Sequence, residues 1–316
     1  MPSVTGLRCM ICGQTYAPDE VRYVCPACGN EGVLEVLYDY DRIGRSFTRQ
    51  YLEDNRDFSM WRYLDLLPVS GQPSQLTLQI GWTPFYRSRH IGPQLGLTNL
   101  WFKDDGRNPT ASLKDRASAI AVAKAFELDE HVLTAATTGN AGSSLAGLTA
   151  NAGLASYIFT PAAAPAGKIA QLRVFGSHLF LVDGSYDQAF DLCMQATERF
   201  GWYNRNTAYN PYMVEGKKTV ALEIAEQMGF EAPDKVLVPV GDGCIISGVA
   251  QGFPHLLPLR LISRMPPLLA PHPEPSPPPP PRSRRTLPPH GATGPAAATP
   301  APSPRRRPPP QQARPL

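Results

Sequence analysis

From about Leu100 onward, short β-favouring runs alternate with helix-length, alanine-rich amphipathic ones. Val132 to Ala136 precedes Gly142 to Asn151, Ser156 to Thr160 precedes Lys168 to Phe175, and His178 to Val182 precedes Tyr186 to Phe200; Val214 to Met228 then leads to Lys235 to Val240. The helical runs close on Gly153, Gly176, Gly201 and Gly229, the residue best suited to the left-handed turn that ends a helix. Alternation of this kind specifies an α/β fold, a parallel sheet covered by helices on both faces. Ligands of such sheets collect at the carboxyl ends of the strands, so the loops there are where chemistry is to be sought.

Three loops stand out. In Asn108-Pro-Thr-Ala-Ser-Leu-Lys114-Asp-Arg116, Pro109 with Thr110 or Ser112 starts a helix and puts Lys114 in its first turn. A cation there opposes the helix dipole, which lowers its pKa; a lone lysine is ordinarily just an exposed surface residue, but a lowered pKa is what Schiff-base chemistry needs. Thr137-Thr138-Gly139-Asn140-Ala141 follows a strand and opens a helix; it reads either as an ordinary cap or as backbone amides offered to an anion, with the Asn140 amide beside them. Gly241-Asp242-Gly243-Cys244-Ile245-Ile246-Ser247 repeats the strand, glycine loop, helix order and suits a phosphate held by backbone amides. Asp242 must turn away from any such phosphate, and two spaced glycines are a weak signal alone.

Four of the six cysteines form two pairs, Cys9-x-x-Cys12 and Cys25-x-x-Cys28, each followed by glycine. Two knuckle turns facing each other in this way bring four thiolates into tetrahedral reach and select Zn²⁺, or iron in a rubredoxin-like variant. With all ligands supplied by protein, the metal is expected to be structural, organising a ribbon over residues 1–40. Cys193 and Cys244 stand alone. The pattern points to a reducing compartment rather than to disulfides.

Composition breaks near residue 254. Of the 35 prolines, 22 lie beyond Phe253, together with nine arginines and one glutamate, and without Lys, Asp, Asn, Tyr, Trp, Phe or Cys. Residues 254–316 are therefore expected to be a disordered, polyproline-like tail, with at most a helical remnant over Leu256 to Leu269. Such a composition is also what GC-rich coding sequence yields when read out of frame. Without the tail, residues 1–253 carry 21 basic and 26 acidic side chains, which argues against a nucleic-acid surface. No secretory leader and no apolar run of membrane-spanning length is present, so a cytoplasmic location without membrane contact is expected. A non-enzymatic reading, a zinc-ribbon protein with an Arg/Pro-rich binding tail, rests on the tail alone.

Lysine, asparagine loop and glycine loop, in that chain order on a βα scaffold, are the parts needed to hold pyridoxal phosphate. The sequence resembles the threonine synthases, of the tryptophan-synthase-β-like fold type II pyridoxal-phosphate enzymes. The resemblance is carried by Gly81-Trp-Thr-Pro84, by Ser-Leu-Lys-Asp-Arg ending at Arg116, by Thr137 to Asn140, by Asn210-Pro-Tyr-Met-Val-Glu-Gly-Lys-Lys-Thr219 and by Val238-Pro-Val-Gly-Asp-Gly243. It covers about residues 80 to 253, and the cysteine ribbon is similar to an extension found in some members. It implies a two-domain parallel-sheet fold over residues 41–253, incomplete here, with a small mobile domain at about 121–206; an incomplete sheet would leave an exposed edge. It further implies Lys114 as cofactor-bearing lysine and proton shuttle, Asn140 on the cofactor's phenolic oxygen, and Gly241, Asp242, Gly243, Cys244 and Ile245 around its phosphate. Thr137, Thr138, Gly139 and Ala141 would take the substrate carboxylate, and Asn210, Arg173 and Lys217 its phosphate. The implied reaction converts O-phosphohomoserine and water to threonine and phosphate; a related enzyme of the cysteate synthase or threonine dehydratase kind is the alternative. Dimers are common in the fold family, so a homodimer is part of the expectation.

Overall fold

The computed structural model describes residues 3–271. In chain order the elements are β1 (Val4–Cys9), β2 (Thr15–Tyr16), β3 (Leu34–Tyr38), α1 (Tyr40–Ile43), α2 (Arg49–Asp54), β4 (Phe85–Arg87), α3 (Ile91–Gln94), β5 (Trp101–Lys103), α4 (Lys114–Glu127) and β6 (Val132–Ala136). There follow α5 (Asn140–Ala152), β7 (Ala155–Pro161), α6 (Ala166–Val174), β8 (His178–Val182), α7 (Tyr186–Phe200), β9 (Tyr203–Asn204), α8 (Tyr212–Gln227), β10 (Val236–Leu237), α9 (Cys244–Leu256) and β11 (Leu268–Leu269). No described helix is long and apolar enough to cross a membrane.

The expected parallel sheet is present, in the order β8-β7-β6-β9. β6 is its centre. Leu133, Thr134 and Ala135 are fully buried there, which is why Val132 to Ala136 is apolar on both faces but for Thr134 and does not alternate; the Thr134 hydroxyl is satisfied by the Tyr157 carbonyl oxygen at 2.8 Å. After α7 the chain returns on the far side of β6, so the strand order reverses between β6 and β9. A crevice opens at such a reversal, beyond the carboxyl ends of the two strands.

A second layer packs α4, α8 and α9 together, and glycines set how closely. A Cβ on Gly216 of α8 would lie 2.1 Å from the Arg116 carbonyl oxygen of α4, and one on Gly252 of α9 would lie 2.5 Å from the Lys218 carbonyl oxygen of α8. No side chain fits in either place. The three backbones therefore approach almost to contact, carrying Lys114, Lys217 and the loop before α9 toward one another.

The buried charges of this layer are paired. Arg116, with no exposed surface, donates through Nε and Nη2 to both Asp105 oxygens at 2.8 Å and through Nη2 to Glu223 Oε2 at 2.9 Å. Its Nη1 reaches Glu223 Oε1 and, at 2.9 Å, the Thr219 hydroxyl. Glu223 also accepts from the Trp82 and Thr83 amides at 2.7 and 3.2 Å and pairs with Lys103 at 2.6 Å. The Gly81-Trp-Thr-Pro84 motif is thus fastened to α8 and α4 and makes no cavity wall of its own.

Antiparallel strands β2-β1-β3 form the ribbon sheet. It docks on α8 through Tyr38, whose hydroxyl donates to Glu215 Oε2 at 2.6 Å. Among the described residues strands β4 and β5 pair only with each other, as do β10 and β11, and Tyr86, Phe102, Leu237 and Leu269 stay exposed on these short pairs.

The ordered chain runs past the boundary expected at residue 254. Pro254 lies in the last turn of α9, where it forgoes one helical hydrogen bond, but Val249, Phe253 and Leu256 bury the apolar face that carries the helix through it. Beyond α9, Leu261 and Ile262 are buried, and β11 pairs in parallel with β10. The helical remnant expected over Leu256 to Leu269 does not form beyond Leu256, where α9 ends; a turn and a short strand follow. The remainder of the expected tail, residues 272–316, lies outside the described residues.

Candidate active site

A cavity of about 630 Å³ sits at the strand reversal and is lined from three sides. The first wall is Lys114, the first residue of α4, and the second is the loop Thr137–Ala141 between β6 and α5. The third combines Arg205–Ala208 after β9, Lys217 of α8, and Asp242 with Cys244 before and at the start of α9. Tyr186, Asp187 and Phe190 of α7 close one side.

Lys114 is half-buried. Burial lowers its pKa, the Arg205 charge lowers it further, and Asp242 works in the opposite direction. Thr110 and Asp115 brace the turn before it: the Thr110 amide donates to Asp115 Oδ2 at 2.7 Å. In the second wall the Gly139 amide donates to Thr137 Oγ1 at 3.0 Å, and α5 starts with no side-chain cap on its first turn. Its leading amides remain free for a ligand. Asn140 Oδ1 accepts from Lys168 Nζ at 2.5 Å.

Arg205 is almost completely buried, donating to the Ser118 hydroxyl at 3.2 Å and to the Lys114 carbonyl oxygen at 3.4 Å. Burial pulls it down to about 10, still charged at neutral pH. Lys217 donates to Thr207 Oγ1 at 2.8 Å; burial, then the neighbouring Arg205, lowers it to about 7. Among the described residues no carboxylate lies within ion-pairing distance of Lys114, Arg205 or Lys217. Uncompensated buried cations are costly, and an anionic ligand is the natural counterpart.

The third loop departs from expectation in one respect. Asp242 Oδ1 accepts the Cys244 amide at 3.0 Å, so Asp242 turns inward and uses an amide that the sequence assigns to phosphate. Gly243 has φ +80° and caps α9 without a side chain, which leaves the Ile245 and Ile246 amides without helical acceptors. Gly241, Gly243 and Ile245 belong to this loop without lining the cavity.

Asn210 and Arg173 do not reach the cavity. Asn210 is fully buried and serves the chain itself: its Nδ2 donates to the Asn204 carbonyl oxygen at 2.8 Å, and its Oδ1 accepts from the Tyr212 amide at 3.1 Å. Arg173 lies in the last turn of α6 and is exposed.

Residues 76–307 match the pyridoxal-phosphate dependent enzyme family. The chain belongs to that family. Threonine synthase of Methanocaldococcus jannaschii is 38% identical over 260 residues, 82% of this chain and 63% of that protein, and the Methanosarcina acetivorans threonine synthase is 36% identical over 261 residues, 82% and 62%. This pyridoxal-phosphate-dependent family member therefore spans a little over six-tenths of the length of those relatives. Among solved structures, Escherichia coli diaminopropionate ammonia lyase superposes with a TM-score of 0.53 at 20% identity, covering 62% of this chain and 60% of that one. Maize serine racemase gives 0.51 at 25% identity over 60% and 56%. The fold is the tryptophan-synthase-β-like α/β fold.

The residues present fit the family's cofactor: a half-buried amine with lowered pKa faces a cavity that has two uncapped helix starts on its rim. Sequence reasoning missed Arg205, Asn206 and Thr207. Their one sequence signal is Arg205 itself, a lone cation between two asparagines directly upstream of the Asn210 to Thr219 motif.

Separately, Cys9, Cys12, Cys25 and Cys28 converge at the ribbon's end, with all four Sγ atoms within 4.8 Å of one another and none in a disulfide. Cys12 Sγ and Cys25 Sγ are 3.7 Å apart, close to the about 3.8 Å that tetrahedral ligands about 2.3 Å from zinc would show. The Tyr16 hydroxyl lies 3.1 Å from Cys25 Sγ. Gly13 and Gly29 follow the pairs with φ of +77° and +62°, as knuckle turns require. The donor set suits a thiophilic metal.

Proposed function

We propose that this chain carries the catalytic face of a threonine synthase, acting on O-phosphohomoserine and water to give threonine and phosphate. The observation that carries the reading is the cavity, where Lys114 faces an anion-accepting loop on one side and, on the other, the Arg205 cation and the Lys217 amine, neither paired with a carboxylate among the described residues. An amino acid with a carboxylate at one end and a phosphate at the other matches that polarity, and the threonine synthases named above support the choice.

Bound at Lys114, pyridoxal phosphate supplies the electron sink that acidifies the substrate's Cα–H. The protein's share is positional. The Ile245 and Ile246 amides, left without acceptors behind the cavity-lining Cys244, would hold the cofactor phosphate, and Asn140 would meet the ring oxygen once released from Lys168. Amides of Thr138 to Ala141 would take the substrate carboxylate, while Arg205 and Lys217 would hold its phosphate until it leaves. Lys114, with its lowered pKa, is neutral over a wider pH range than an exposed lysine and can take the Cα proton and return it. The α7 wall with Tyr186 and Phe190 would limit water at that proton.

Purified full chain supplied with pyridoxal phosphate and O-phosphohomoserine is expected to release threonine and inorganic phosphate in equal amounts. Amine release without threonine, or thiol addition in place of hydration, would reassign the substrate within the family.

We further assign the four-cysteine ribbon a structural zinc ion, and such a thiol set belongs in a reducing, cytoplasmic compartment. Zinc is expected at one equivalent per chain by atomic absorption. Cys25→Ser should release it and lower the melting temperature, because thiolate–zinc bonding contributes directly to the ribbon's folding; retention of a full equivalent in that variant would exclude these ligands.

A further inference from the structure

The ribbon touches the same short segment that forms the cationic cavity wall. Among the described residues β9 is an edge strand, pairing only with β6. Directly after it, the Arg205 amide turns inward and donates to the Thr134 carbonyl oxygen of β6 at 2.9 Å. The amide of Asn204 points the other way, where an edge strand ordinarily has no partner. Here it donates to the hydroxyl of Tyr23 at 2.9 Å. Tyr23 lies two residues before Cys25, at the entry to the second knuckle.

Further contacts fix Tyr23 on both sides of the wall. Its ring stacks on Tyr209 at 4.5 Å between centroids, with 29° between planes, and meets Tyr203 at 6.1 Å. Tyr203 and Tyr209 bracket the cavity-lining residues 205–208. Arg22 lies over the Tyr23 and Tyr203 rings at 5.3 and 5.5 Å and pairs with Glu130 after α4. Across the segment, Asn206 Oδ1 accepts the Ala136 amide of β6 at 3.1 Å. The wall is therefore held from within by the sheet, α4 and α8, and on its outer edge by one aromatic residue of the ribbon.

We propose that the ribbon is a positioning element of the cavity, and that Tyr23 is the residue through which it holds Arg205–Ala208 in place. The inference rests on the reading of that cavity as the ligand site. It also gives the four cysteines a purpose beyond their own module: the knuckle they close presents the Tyr23 hydroxyl to the edge amide. A free ribbon would leave that amide to water and remove the tether on the ribbon side of the wall.

The test uses the full chain. Tyr23→Phe keeps the stacking and removes the acceptor; Tyr23→Leu removes both. Hydrogen–deuterium exchange on the cofactor-free protein should show residues 203–208 exchanging about fivefold faster in Tyr23→Phe, the factor expected for one net hydrogen bond, and faster again in Tyr23→Leu or after removal of the ribbon metal by a chelator. Residues 137–141 should exchange as in the wild type. In the cofactor-loaded protein, inorganic phosphate should bind about fivefold more weakly to Tyr23→Phe while the absorbance of the lysine-bound cofactor is unchanged. Exchange within twofold of wild type at 203–208, or acceleration spread equally over the chain, overturns the proposal. Should the wild-type chain take up no cofactor, the reading of Lys114 fails, and the exchange measurement still decides the role of Tyr23.

Discussion

Lys114→Ala is expected to abolish the visible absorbance that pyridoxal phosphate gives when bound to the wild-type chain, and to lower turnover by about 10²–10⁴-fold or more, the range for loss of a positioned acid–base group alone. The reason lies in where the lysine stands. At the start of α4 it faces the helix dipole, is half-buried, and has Arg205 beside it. Each influence disfavours the ammonium form, and a neutral amine is the reactive one. Circular dichroism should be unchanged, because the Lys114 side chain makes no hydrogen bond to another described residue, whereas its neighbours Asp115 and Arg116 are tied into the scaffold. Absorbance that persists in the alanine variant would place the cofactor on another amine, and Lys217, which lines the same cavity, would be the one to examine.

Glu223→Ala is expected to destabilise the fold by about 3–5 kcal/mol, the usual cost of removing one partner from a buried ion pair, which for a domain of this size is on the order of 10 °C in melting temperature. Arg116 and Glu223 have no exposed surface, so the guanidinium would lose one of its two carboxylates with no water to replace it. The Trp82 and Thr83 amides and Lys103 would lose their acceptor as well. Burial acts to raise the Glu223 pKa, but the Arg116 charge and hydrogen bonds, with Lys103, hold it below the ordinary carboxylate value; Asp105 is held low by Arg116 in the same way. Stabilisation from both is therefore complete above the pKa of an unfolded carboxylate, about 4, and is lost as pH falls through the lower folded values. Chemical denaturation at neutral pH and again in that acid range checks both parts. A change below about 1 kcal/mol at neutral pH would mean the network is compensated elsewhere.

Much of the site is legible in the order of residues alone, for identifiable reasons. β6, β8 and α7 begin and end where the apolar patterning and the terminal glycine at Gly201 place them, because local steric preference and tertiary packing agree there. Lys114 and the Thr137–Ala141 loop, which line the cavity, are offered by the sequence because a strand followed by small polar residues and a helix is a local pattern. Asn210 misleads for a related reason: an asparagine offers the same amide to a ligand and to its own backbone, and here the Asn204 carbonyl and the Tyr212 amide take it. The boundary at residue 254 misleads because proline content is a local signal, while Val249, Phe253, Leu256, Leu261 and Ile262 are held by a core assembled from distant residues.

Locally encoded parts are therefore written in the residues themselves: the βα alternation and its parallel sheet, the two knuckle pairs, the lysine in a first helical turn and the loops that open helices. Which of these parts meet is settled by the packing of the folded chain. The reversal of strand order at β6 and β9 brings Arg205 to Lys114, the glycine contact of Gly216 with α4 brings Lys217 there too, and the ribbon sets Tyr23 against the back of the same wall. Those meetings join residues up to 181 positions apart along the chain. They depend on backbone approach and on the partner an edge strand finds, and no local pattern of residues carries that information.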